Sequence, residues 1–300
     1  MRYLFYISTF IILTTIGFCT EDVSGVTTEE SNMQGHMMAE QIIRWLHIFA
    51  GIMWIGLLYF FNFVNGAFAA TMSGDTKKAV VPELMPRALY WFRWGAAWTW
   101  FTGVALLGLV FYMSIGGTMP ADLFGDEWEG PKYYSLIAML IPFLAVFLYD
   151  FLYKSPLAKN TRLITIISFL LIAAIGCFMT CDNWADFGYR AYNIHIGAMF
   201  GTIMAFNVWF RIWPAQQKII TAIKEGKAPD GDLVALAGLR SKHNTYLSLP
   251  LIWTMINGHT ALFNIDSLGN EGYGVLLIII ALGWHIIFQC YKKSGKVKGF

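Results

Sequence analysis

Charge is scarce in this chain: Asp, Glu, Lys and Arg make up 13% of its 300 residues, about half the share of an ordinary soluble domain. The little there is nearly cancels, 21 Lys and Arg against 19 Asp and Glu giving a formal net charge of +2. The basic residues are spread over several short segments, so no stripe exists that would track a phosphate backbone, and nucleic-acid binding is not expected. Cysteine is scarce as well. The four residues Cys19, Cys177, Cys181 and Cys290 form neither the C-x-x-C of zinc sites nor the C-x-x-C-H of haem attachment. A covalent c-type haem is therefore excluded from these residues, and any haem would be held non-covalently. There is no internal repeat, low-complexity tract or separate soluble domain.

Apolar residues are what the chain has in excess, with 57% hydrophobic and 17% aromatic side chains. A bilayer core of about 30 Å needs roughly 20 apolar residues of helix. Seven runs of that kind follow residue 40, approximately Ile42 to Val64, Trp94 to Ser114, Tyr133 to Tyr153, Leu163 to Met179, Ala191 to Phe210, Tyr246 to Phe263, and Gly274 to Tyr291. The expected fold is an all-α integral membrane bundle of seven transmembrane helices. Pro142 and Pro250 fall inside two runs, where neighbouring helices can satisfy the freed backbone groups, and kinks are expected there. Gly197 and Gly201 lie four apart, so a partner backbone can approach that face, which points to a central place for the fifth span. Residues Ile212 to Lys242, with Gly226, Pro229 and Gly231, read as a surface helical hairpin at most.

Basic connections stay cytoplasmic, and here they alternate without exception with acidic ones. Lys77, Lys78 and Arg87, then Lys154, Lys159 and Arg162, then Arg211 to Lys242, and finally Lys292 to Lys298 mark the inside and place the C-terminus there. Residues 1–19 combine Arg2, an apolar run and the small residues Gly17 and Cys19, reading as a signal peptide or as a retained signal anchor forming an eighth helix. Residues 20–39 read as an external linker and 40–300 as one multi-span domain.

Ionisable residues at membrane depth are costly and point to function. His47, His195 and His259 lie in three spans, each roughly 5 to 8 Å below the outer boundary on this topology. They read either as converging ligands for haem iron or copper, or as separate side chains that each bond a neighbouring carbonyl. His285, nearer mid-membrane, is a further candidate ligand or proton relay. On the inner side Arg240, Ser241, Lys242, His243, Asn244, Thr245 and Tyr246 form a dense polar run. It reads either as a helix start with capping and topogenic residues, or as a cytoplasm-facing site for a planar anion, Arg240 offering a fork of donors and His243 a base. Tyr90 to Trp94 fit an interfacial aromatic belt. Cys177 and Cys181, one turn apart, read as packing groups or as a redox-active pair.

Four stretches together resemble a known family. They are RWLHIFAGIMWIG (Arg44 to Gly56), LYWFRWGAAWTWFTG (Leu89 to Gly103), RAYNIHIGAMFGTIMAFNVWF (Arg190 to Phe210) and RSKHNTYLSLPLIWTMINGH (Arg240 to His259). They are similar to the membrane-bound urate hydroxylases, whose N-terminal part is a multi-span membrane domain and whose C-terminal part is a cytochrome c. The likeness covers nearly everything from residue 40 onward, and no cytochrome c counterpart occurs within the 300 residues. It implies a bacterial inner-membrane oxidoreductase that converts urate to 5-hydroxyisourate in purine catabolism, with electrons passing via a non-covalent b-type haem to a separate c-type cytochrome or respiratory complex. It points to His47, His195, His243 and His259 as family-pattern positions. The roles expected on this basis are His195 with His47 or His259 as axial ligands of a haem b, Arg240 and Asn244 binding substrate oxygens, and His243 as proton acceptor. Two other classes are weighed beside it. One is a non-catalytic haem-binding or structural subunit of a respiratory complex; the other is a transporter or channel, against which stands the lack of an inverted repeat.

Overall fold

The computed structural model describes residues 28–113, 132–181, 183–257 and 272–297. The expectations for residues 1–19 and for His259 lie outside that set. Within it the apolar runs fold as helices, and no strand forms among the described residues. Helix α1 (Thr28–Tyr59) continues through a π-helical stretch (Phe60–Asn65) into α2 (Gly66–Thr71). Next come α3 (Gly74–Phe111), α4 (Lys132–Leu152), a 3₁₀ turn (Pro156–Lys159) and α5 (Thr161–Thr180). Helix α6 (Tyr189–Asn207) runs through a second π-helical stretch (Val208–Ile212) into α7 (Trp213–Lys224), followed by α8 (Gly231–Asn257) and α9 (Gly272–Ser294).

The starts and stops follow from local chemistry. Ser73 opens α3 by accepting a hydrogen bond from the Thr76 amide at 3.2 Å, and Asn160 opens α5 by accepting from the Leu163 amide at 3.1 Å, each satisfying an orphan donor of the first turn. Helix α7 ends on Gly226, whose φ of +73° is a left-handed conformation that glycine adopts without a Cβ clash. The Lys227 amide there reaches back to the Ala222 carbonyl at 2.8 Å and the Gly226 amide to Ile223 at 3.0 Å, the pairing of a Schellman cap. Pro142 and Pro250 are carried inside α4 and α8 without ending them.

Six helical stretches are long and apolar enough to cross a membrane: Asn32–Thr71, Gly74–Phe111, Tyr133–Leu152, Thr161–Thr180, Tyr189–Lys224 and Gly272–Ser294. Helix α8, with Arg240, Lys242 and His243 midway along it, is not among them. It nevertheless packs along α6 and also touches α1, α7 and α9. The chain is thus an all-helical multi-pass membrane protein. Its outward faces are apolar, as a lipid solvent requires, and its polar side chains turn inward. Phe151 is 72% exposed while its neighbour Asp150 is 8% exposed, so one residue of helix separates the lipid face from the interior.

Helices α1 and α3 form an antiparallel pair in one register. His36 donates to the Leu109 carbonyl at 3.1 Å, His47 bonds Thr102, Trp54 lies against Gly95, and Asn65 bonds Met85. From His36 to Asn65 this contact runs about 43 Å along the axis, longer than the hydrocarbon core. Helix α6 is the central element, its stretch being 56% buried against 17% to 33% for the other five. The reason is the one expected from its glycines: Gly197 faces Thr254 and Met255, and Gly201 faces Leu251, so α8 lies closely on that side. The segment from Ile212 to Lys242 departs from a surface hairpin. Its first arm, α7, packs on α3 and α8 and buries Ala215, Ile219 and Ile220, and its second arm is the start of α8 itself.

Candidate functional site

At the end of the bundle where α4 stops and α8 begins, buried polar groups from α4, α6 and α8 converge. Arg240 is 1% exposed, and Asn207 and Asn244 are fully buried. Arg240 donates from Nη2 to Asp150 Oδ1 at 3.0 Å. Asp150 also receives Arg211 Nε on Oδ1 at 3.0 Å and Nη2 on Oδ2 at 2.5 Å, and Lys154 Nζ on Oδ2 at 2.7 Å. One carboxylate thus anchors three cations, a geometry in which charge-assisted bonds hold the guanidinium groups in fixed orientation. Arg211 comes from the second π-helical stretch, where the wider turn lets the chain re-aim a side chain.

The Arg240 guanidinium lies over the Tyr149 ring at 4.9 Å and the Tyr153 ring at 5.9 Å, which favours a cation in a site with little water. Tyr149 and His243 are joined by a hydrogen bond of 2.7 Å between the phenol oxygen and Nδ1. Asn207 Nδ2 donates both to Tyr149 Oη and to Asn244 Oδ1, each at 2.9 Å, and Asn244 Nδ2 donates to the Met204 carbonyl at 2.9 Å. With a donor already on its oxygen, Tyr149 turns its own hydrogen to His243 Nδ1, so a neutral His243 carries its proton on Nε2.

Three buried polar atoms in this cluster have no protein partner: Arg240 Nε, Arg240 Nη1 and Asn207 Oδ1. Buried groups of that kind are nearly always satisfied by something, and leaving them bare is costly. Two nitrogen donors of a guanidinium and one amide carbonyl are thus left for a partner other than protein. The arrangement suits a small, planar, anionic molecule that also carries N–H groups.

Arg240, His243 and Asn244, singled out from the sequence, are therefore brought together, with Asn244 acting through Asn207. Sequence reasoning passed over Tyr149, Asp150, Asn207 and Arg211. Asp150 carried a legible signal, as an acid inside an apolar run; Arg211 reads equally well as a topogenic loop residue.

The histidines at the opposite end are placed differently. His47 bonds Thr102 Oγ1 through Nδ1 at 3.1 Å and lies against Gly103. His195 is fully buried, with Nδ1 donating to the Ala191 carbonyl at 2.6 Å and Nε2 accepting from Tyr112 Oη at 2.5 Å, among the rings of Phe111 and Phe187. The α3 positions they meet, Thr102 and Phe111, are about 13 Å apart along that helix. His47 and His195 are thus not brought together, and both ring nitrogens of His195 are engaged. Among the described residues no group of three or more His, Cys, Asp or Glu side chains forms a metal-binding set. The described residues do not fit a bis-histidine haem as they stand. His285 faces outward and pairs with Gln289 one turn on, at 3.2 Å.

Neither a curated protein nor a solved structure matches the chain. The profile described as urate oxidase N-terminal matches residues 34–298, which takes in the described helices from Gln34 onward and the Arg240 cluster. The chain belongs to the urate oxidase N-terminal family.

Proposed function

We propose that this protein is a urate-oxidising oxidoreductase of the bacterial inner membrane, with seven spans and a cytoplasmic C-terminus, and that urate binds at Arg240. The reading rests on the family together with one observation, the buried Arg240 whose Nε and Nη1 have no protein partner. Urate at neutral pH is a planar anion bearing carbonyl oxygens and ring N–H groups. Arg240 supplies charge-assisted donors from Nε and Nη1 to its acceptors, and Asn207 Oδ1 accepts from an N–H. Asp150 holds Arg240 in place from behind, Asn244 fixes the amide plane of Asn207, and His243 takes up protons through its link to Tyr149. In the overall reaction urate and water give 5-hydroxyisourate, two protons and two electrons. The electrons pass to a separate c-type cytochrome or respiratory complex. A haem b held by His195 would require that residue to give up Tyr112.

The test is urate-dependent reduction of added cytochrome c by the detergent-purified chain, followed by urate absorbance and cytochrome reduction together. Arg240→Lys keeps the positive charge and loses the directed guanidinium donors, and should lower kcat/KM by about a hundredfold. If Arg240→Lys consumes urate at the parent rate, urate does not bind there. A parent protein that holds urate without turnover would instead support the subunit reading.

A further inference from the structure

We propose that the outward side of α9 is a contact between two copies of this chain, centred on His285. One side of α9 is buried in its own bundle, where Leu276, Ile280 and Ile287 are 3% exposed or less and Gly283 lies against Pro250 of α8. The opposite side carries Gly274, Ile278, Ala281, His285 and Phe288, spaced alternately by four and three residues. That is the 3.5-residue seam of two helices packed side by side, and its small members Gly274 and Ala281 let another backbone approach. Ile278 and Phe288 are 67% and 53% exposed, and Ala281 and His285 are exposed as well. A Cβ on Gly274 would meet nothing within 4 Å.

Polarity sets this seam apart from the other lipid-facing surfaces. Among the described residues His285 bonds Gln289 alone, at 3.2 Å, and Gln289 is itself exposed. His285 comes seven residues before Lys292, the first basic residue after the apolar run, which is about 10 Å along the axis and inside the hydrocarbon of a bilayer about 30 Å thick. Lipid tails offer neither donors nor acceptors, so an imidazole and an amide facing them leave hydrogen-bonding capacity unmet. A second copy supplies it. Copies inserted in one orientation are related by a two-fold axis along the membrane normal, so each residue keeps its depth and His285 meets its own counterpart. A neutral imidazole has one donor and one acceptor, so one ring of the pair donates to the other. The two rings then hold different tautomers, and Gln289 serves either one: its amide N–H donates to a bare ring nitrogen on one copy, and its carbonyl accepts from a ring N–H on the other. A polar residue at one seam position fixes register and copy number in this way.

The experiment uses the full chain with its native cysteines replaced by serine, in membranes of the expressing cells. One cysteine is placed at Ala281 or, for comparison, at Leu170, a residue of α5 that is 60% exposed. Copper phenanthroline drives disulfide formation, and a non-reducing gel separates the products. Ala281→Cys should convert most of the chain to a band of twice its mass, and Leu170→Cys little of it. The purified Ala281→Cys protein is then diluted with lipid in vesicles before oxidation. Adding His285→Leu and Gln289→Leu leaves a lipid-compatible face without the polar pair, and should weaken self-association about tenfold at an unchanged thermal midpoint. The contact is wrong if Ala281→Cys gives no more dimer than Leu170→Cys, or if it joins a chain of different mass. The central place of His285 is wrong if the double leucine variant withstands dilution as its parent does. No urate enters either measurement, so the outcome is separate from the substrate assignment.

Discussion

Asp150 is the residue on which the polar cluster depends, and two neighbouring substitutions separate its buried bonds from its exposed one. Its bonds to Arg240 and Arg211 are buried or nearly so, whereas the Lys154 side chain is 59% exposed. Removing one partner of a buried pair strands the other and costs about 3–5 kcal/mol; an exposed pair contributes about 1 kcal/mol or less. Asp150→Asn should therefore lower the thermal midpoint of the detergent-purified protein well beyond Lys154→Ala, which should stay near the parent. Equal midpoints for the two variants would show that the carboxylate does not organise the site. At this scale the sequence disclosed Arg240, His243 and Asn244 because polar side chains in an apolar run announce their own cost. It could not disclose Tyr149, since an aromatic near a helix end has the composition of an interfacial belt. Whether a Tyr faces lipid or an Arg is decided by helix rotation, which one sequence leaves open.

Helix positions were legible at the scale of elements because the apolar runs are long, but two features of the helices were not. One is the pair of π-helical stretches. In the first, Asn62 donates to the Leu58 carbonyl and to Ser241 and accepts from Tyr291, tying α1 to α8 and α9; the second aims Arg211 at Asp150. A turn one residue wider leaves no mark in apolar periodicity. The other is how tightly the small residues of α6 are filled. A Cβ on Gly197 would come 2.9 Å from Thr254 Cβ and 3.2 Å from Met255 Cε, while one on Gly201 would meet Leu251 Cδ1 at 3.9 Å. Gly197→Ala should therefore destabilise by about 1–3 kcal/mol through overpacking, and Gly201→Ala should be neutral or slightly stabilising, since alanine favours helix over glycine. Size-exclusion profiles after stepped heating measure both. A Gly197→Ala protein as heat-stable as Gly201→Ala would mean that α6 and α8 lie further apart than described here.

For the whole molecule the alternation of basic and acidic connections carries a prediction that the packing sharpens. The turn holding Gly226 and Lys227, the α4 to α5 connection with Lys154 and Lys159, and the end of α9 with Lys292 and Lys293 all lie at one end of the helices, as antiparallel neighbours demand. The Arg240 cluster sits at that end, and residue 183, between α5 and α6, marks the other. The positive-inside rule supports the proposal that the first end is cytoplasmic. In intact cells a membrane-impermeant maleimide should label Asn183→Cys and spare Lys227→Cys until the membrane is opened, each substitution being made in a chain whose native cysteines are replaced by serine. Labelling of Lys227→Cys alone would invert the topology. The outcome also fixes the direction of the chemistry: with Lys227 inside, urate reaches Arg240 from the cytoplasm and His243 releases its protons there. An acceptor on the far face would then receive electrons that have crossed the bilayer, moving charge across the membrane at each turnover.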